Sequence, residues 1–256
     1  MTKEGKYIYC IIGTNQDRYF GSIGVGGRGD EVLTIGYDDL GMVVSNHPLT
    51  QIDVNCENML AHEKVIEKVM EEFDSVLPVR FGTIASNADE IRNLLDRRYR
   101  EFKNLLKDIN HKIELGVKGL WKNMGAVFNE IIEENKEIKK AKEEIQNVEE
   151  EISIQSKIEI GKLVDEALQK KKEKETQCII DVLQKAYVDL KCNKTVSDEM
   201  FMNAAFLVDR GREKEFDNIM DDLNEEYKDR VKFKYTGPLP VFNFTNIAIY
   251  PEAWEK

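Results

Sequence analysis

The sequence predicts an α+β fold. Three observations predict it: β-branched and aromatic runs dominate the first third, a charged stretch with helical periodicity fills the middle, and a strand, a helix and a strand close the chain. With 256 residues, 41% of them hydrophobic, there is material for one large domain or two of ordinary size.

The elements follow in order. Lys6 to Ile12 (KYIYCII) reads as a first strand that runs into the polar GTNQDR loop. Glu31 to Gly36 and Gly41 to Ser45 are two further strands, and the short polar link Tyr37-Asp38-Asp39-Leu40 suits a β-hairpin. Past His47-Pro48 the period changes. Met59, Leu60, Val65, Ile66, Val69, Met70 and Phe73 recur at helical spacing, so a helix is expected that ends near Asp74. Val76 to Ile84 (VLPVRFGTI) then reads as a strand, which Pro78 restricts to an edge or a kink because it has no N–H for a ladder. Asn87 or Asp89 caps a second helix with Ile91, Leu94, Leu95, Tyr99, Phe102, Leu105 and Leu106 on one side. Ile109 to Leu120 reads as another strand.

From Asn129 to Glu175 the composition shifts to 14 acidic and 10 basic residues among 47, and the chain leaves its first core. Ile131, Ile138, Ile145 and Ile152 stand seven apart, with Ala141 and Val148 between them on the seam. A second helical run is expected to open at Gly161-Lys162 and continue to Leu190. The seam is shorter than a free coiled coil needs, so an antiparallel hairpin turning between Glu151 and Ile160 is expected, packed within the molecule. Phe201 to Asp209 reads as a central strand, Gly211 to Tyr227 as an amphipathic helix and Val231 to Tyr235 as a strand. The last segment, with three of the five prolines and four aromatic residues, is expected to pack back on the body.

Composition excludes some functions. A net charge of −11 argues against nucleic acid or anionic lipid as the main partner. No apolar run is long enough to span a membrane and the first residues lack a secretory pattern, so a cytoplasmic protein is expected. Cys10, Cys56, Cys178 and Cys192 form no recurrent framework and read as reduced thiols. With His47, His62 and His111 they share no helix turn, so no metal is assigned.

Several motifs are tempting. Gly24, Gly26 and Gly29 spell G-x-G-x-x-G, but the motif runs into a strand where a dinucleotide fingerprint must open a helix, so it reads as a flexible loop. His62-Glu63 begins a zinc-protease helix but Ile66 stands where the second histidine belongs. These two residues are therefore expected on the polar side of the helix, or holding a neighbouring strand by hydrogen bonds. Cys10 lacks a neighbour that would activate it. Arg80, between Val79 and Phe81, is more informative: a guanidinium in so apolar a strand needs a carboxylate, a carbonyl or a partner protein. No catalytic, cofactor-binding or metal-binding residue is assigned and no small-molecule substrate is expected.

KYIYCII, AHEKVIEKVM followed by SVLPVRFGTIAS, NAAFLVDRGREKEFDNIMDDL and VKFKYTGPLPVFNFTNI, taken in order, resemble the gas vesicle protein F/L family from end to end. The most specific pieces are Leu77 to Thr83, Asn203 to Val208 and Tyr235 to Pro240. Leu239 and Val241 depart from the pattern, standing where Trp and Pro are expected. The resemblance implies two domains: residues 1–122 with a ferredoxin-like sheet and helices on one face, and residues 123–256, combining a helical hairpin over about 129–192 with a smaller α+β unit over about 195–256. It also implies an accessory or minor structural protein of gas vesicles, the gas-filled buoyancy compartments. Such a protein would have no enzymatic activity or cofactor. Its partners would be the hydrophobic shell protein A and other gas vesicle accessory proteins, and it would work in the cytoplasm at the vesicle. The candidate partner-binding residues are Arg80, Phe81, Phe242 and Phe244, on an accepting strand and an aromatic C-terminal segment. The rival expectations are a general coiled-coil scaffold and a ferredoxin-like enzyme.

Overall fold

The computed structural model describes residues 3–147, 154–245, 247 and 249. It is α+β, and its chain clusters into two compact units. Unit 1 comprises residues 1–114, 207–211 and 237–256, and unit 2 comprises 115–206 and 212–236. This division is not the linear split at residue 122. The closing residues group with unit 1, as their apolar side chains complete its core.

Unit 1 is built on an antiparallel sheet. Strands β1 (Glu4–Ile12), β2 (Tyr19–Gly21), β3 (Val32–Tyr37), β4 (Leu40–Pro48) and β5 (Val76–Pro78) lie in the order β2-β3-β4-β1-β5, and β6 (Ile84–Ala85) also pairs with β1. The expected hairpin is β3 and β4. Gly36 faces Gly41 and Tyr37 faces Leu40, and Asp38 takes a left-handed conformation (φ 52°) in the two-residue turn. The segment expected as one strand from Val76 to Ile84 is broken. Its ladder ends at Pro78, which offers no N–H, and residues 79–83 turn before β6 resumes.

Both faces of this sheet are buried, which is why β1 is apolar almost throughout. A bulge between Ile8 and Cys10 shifts the alternation by one residue. Tyr7, Tyr9, Cys10 and Ile12 therefore share a cluster with Val65, Ile66 and Val69 of α1 (Cys56–Met70). Ile8 and Ile11 join Ile91, Leu94, Leu95 and Phe102 of α2 (Ala88–Arg97) and α3 (Tyr99–Asp108). The helices thus lie on two faces rather than the one expected. Asn87 caps α2, accepting from the amides of Asp89 and Glu90 at 2.9 Å. The closing segment packs back as expected, with Val241 and Ile247 buried in the Ile8 cluster; residues 250–256, with Tyr250 and Trp254, lie outside the described residues.

Unit 2 carries most of a second sheet made of β7 (Lys112–Trp121), β8 (Asp189–Cys192), β9 (Met200–Asp209) and β10 (Val231–Leu239), in the order β10-β7-β9-β8. Helices α4 (Met124–Glu134), α5 (Lys136–Asn147) and α6 (Ile154–Leu183) fall between β7 and β8, and α7 (Glu213–Glu226) between β9 and β10. This is the split β-α-β-β-α-β arrangement, so the ferredoxin-like topology expected of the N-terminal domain belongs to this sheet instead. Both α4 and α5 pack on α6, and Ile131, Ile138 and Leu168 are buried. The seam positions Val148 and Ile152, and the start of the expected hairpin turn, lie outside the described residues. From Ile154 the chain is already helical, so Gly161 sits inside α6 instead of opening it, and Leu190 belongs to β8.

A half-buried ion network ties unit 2 together. Arg230 donates to both oxygens of Glu130 (2.6 and 2.8 Å) and to Glu175 (2.6 Å), and Trp121 Nε1 donates to the other oxygen of Glu175 at 2.7 Å. Lys171 pairs with Glu130 and Glu134. The Arg230 fork, followed by the Lys171 hydrogen bond and the charges of both, holds the Glu130 carboxyl down at about 2 against the opposing effect of burial.

Candidate functional site

A groove of about 430 Å³ opens on unit 1. Three segments line it: Met59, His62 and Glu63 from α1; Pro78, Arg80 and Phe81 from β5 and the turn after it; and Phe242, Thr245 and Ile247 from the closing segment.

The floor is fixed by a hydrogen-bond chain. Val79 O lies 3.1 Å from His62 Nε2, and a carbonyl can only accept, so Nε2 carries the proton. Nδ1 is then the acceptor for the Tyr7 hydroxyl at 2.9 Å, and the same hydroxyl accepts the Gly82 amide at 3.0 Å. One buried histidine thus pins α1 to the strand end and, through Tyr7, to the turn that presents Arg80 and Phe81. Burial pushes His62 down to about 4, so the ring is neutral at physiological pH. Both of its nitrogens are occupied internally, and it offers the groove only ring surface. Phe81 meets that ring edge-on at 5.7 Å, Tyr9 stacks on it at 5.6 Å and Phe242 tilts over it at 6.2 Å.

The polar groups of the groove differ in kind. Burial, with Glu67 as a smaller cause, raises the Glu63 carboxyl above its usual range. Arg80 is exposed, and its guanidinium makes no ion pair or hydrogen bond with any described residue. The intramolecular partner that its apolar neighbours led one to expect is not among the described residues, because Arg80 lies in the turn after Pro78 and not inside a strand. Met59 and Phe242, both lining the groove, keep 50% and 39% of their surface exposed.

Of the residues expected to meet a partner, Arg80, Phe81 and Phe242 come together here. Phe244 does not: it packs, partly buried, against the Ile8 cluster. Met59, Thr245 and Ile247 were not foreseen as lining residues. The readable signal was the three-residue step from Met59 to His62, which puts both on one side of α1. His62 holds a neighbouring strand end, as one of its two expected placements has it. The G-x-G-x-x-G segment is the loop between β2 and β3, with positive φ at Gly26, Gly27 and Gly29 and no helix after it. All four cysteines are free thiols; burial raises that of Cys10. Among the described residues no group of three or more His, Cys, Asp or Glu side chains converges as for a metal, and no helix is long and apolar enough to cross a membrane.

This fold is that of solved gas vesicle proteins. The crystal structure of GvpF from Anabaena sp. PCC7120 superposes with a TM-score of 0.80 over 96% of this chain and 100% of that one, at 21% identity. GvpF from Microcystis aeruginosa gives 0.77 over 95% and 99%, also at 21% identity. At the level of sequence, gas vesicle protein F1 of Halobacterium salinarum is 28% identical over 251 residues, 97% of this chain and 96% of that protein. Gas vesicle protein F of Haloferax mediterranei is 28% identical over 249 residues, 96% and 95% of the two chains. The family model described as gas vesicle synthesis protein GvpL/GvpF matches residues 5–246, and the chain belongs to that family. Its role is therefore gas vesicle-associated.

Proposed function

We propose that this chain is an accessory or minor structural protein of gas vesicle assembly that binds the hydrophobic shell protein A, supports nucleation and limits its aggregation. It works by contact, without chemistry of its own. The observation that carries this reading is the groove on unit 1, where Met59 and Phe242 stay exposed around a rigid, neutral aromatic floor. A shell subunit that must face gas exposes apolar surface before assembly and is prone to sheet-edge aggregation. An apolar groove gives such a surface somewhere to go, and a net charge of −11 keeps the covered complex dispersed by repulsion.

Co-expression tests the proposal. Shell protein A should co-purify with the full-length chain, and its soluble fraction and the vesicle yield should fall when the chain is omitted. Equal solubility and equal yield without it would overturn the reading. Among the described residues the helices give the scaffold alternative no support, because Ile131, Ile138 and Leu168 are already buried within the chain.

A further inference from the structure

Resting on the reading above, we propose that the groove recognises an apolar segment of shell protein A through one carboxylate on that segment, held by the forked donors of Arg80. The argument is one of complementarity. Apolar surface from Met59, Phe81, Phe242 and Ile247 makes up most of the groove, so an occupant must be mainly apolar. Among the described lining residues Arg80 is the one cation, and it has no acceptor among the described residues.

The other polar groups do not answer that cation. His62 has both nitrogens engaged with Tyr7 and Val79. Glu63 shares the groove but stands in no ion pair with Arg80. An apolar occupant without a charge would strip water from the Arg80 guanidinium and return nothing, a net cost. An occupant with one carboxylate between apolar residues restores two charge-assisted hydrogen bonds at that point. The preference is for a carboxylate rather than a carbonyl because the planar fork of arginine matches two oxygens at once.

Tagged shell protein A, co-expressed with the full-length chain, measures this by the amount of chain recovered. Arg80→Gln should lower recovery roughly tenfold or more, as expected for loss of a hydrogen-bonded charge pair, and Arg80→Lys should restore part of it. Each Asp and Glu of shell protein A is then changed in turn to its amide. One such change should match the Arg80→Gln loss and add nothing when combined with it. This partner-side scan reads the same contact even if an Arg80 variant folds poorly, which its unfolding temperature reports.

Unchanged recovery with Arg80→Gln, alongside lost recovery with Met59→Ser and Phe242→Ala, would overturn the carboxylate inference and leave the groove reading standing. Loss with Arg80→Gln but no coupled carboxylate on the partner would overturn it as well. If none of these variants changes recovery, the groove is not the binding surface and both readings fall.

Discussion

The carboxylate of Glu114 clasps Asn243 twice, accepting from its backbone N–H at 2.9 Å and from its side-chain amide at 2.6 Å. Glu114 lies on β7 and is 4% exposed, so a buried charge is satisfied at the turn that carries Phe242 into the groove. Glu114→Gln places an amide donor against donors. It should cost about 1–3 kcal/mol. Hydrogen exchange should speed up first at the amides of residues 241–245, and equal exchange in both proteins would show that the clasp does not hold the turn.

His62 makes stability depend on pH with a definite sign. Its folded value of about 4 lies below the ordinary 6.5, so between these limits the unfolded chain binds more protons than the folded one. Stability from this residue is complete above 6.5 and is lost as pH falls toward 4, by on the order of 3 kcal/mol. Urea unfolding of wild type and His62→Phe across this range isolates the effect from the carboxylates; the difference between the two should shrink as pH falls.

Arg230 should matter more for its shape than for its charge. Arg230→Lys keeps the cation but loses the fork that serves Glu130 and Glu175 together, and should destabilise by about 1–2 kcal/mol, with Arg230→Met worse. Because Glu130 is held at about 2, its share of the stability is present above the ordinary carboxylate range and is lost as pH falls toward 2. Thermal unfolding at pH 7 and pH 3 should show wild type and Arg230→Met converging at the lower pH.

Two glycines should respond oppositely to alanine. At Gly161, within α6, an added Cβ meets nothing within 4 Å among the described residues, so Gly161→Ala should stabilise by about 0.5–1 kcal/mol. At Gly119 the same atom would come 2.5 Å from the ring of Phe201, which itself stacks on Trp121 at 5.2 Å, so Gly119→Ala should cost about 1–3 kcal/mol. Denaturant midpoints of the two variants decide both.

Local patterns made much of this fold legible. The Asp38-Asp39 hairpin, the Asn87 cap and the amphipathic α1 are each written in a few adjacent residues. What misled was information held elsewhere. Gly161 reads as a helix start, but burial of neighbours such as Leu168 carries α6 through it. The doubly buried sheet hides the side its helices take, because β1 is apolar on both faces and a bulge resets its alternation. At the site, Arg80 and Phe81 announced themselves as a charge and a ring in apolar company. Glu114 carries the same clue between Ile113 and Leu115, but its partner Asn243 lies too far along the sequence for any spacing rule to find.

A constraint on the order of folding follows from the grouping of residues 237–256 with unit 1. Val241 and Ile247 fill a core begun at Ile8, and Phe242 finishes a groove begun at Met59, so the N-terminal part of unit 1 cannot be completed until these sequence-distant residues have been made. A chain shorter than this therefore has no finished groove.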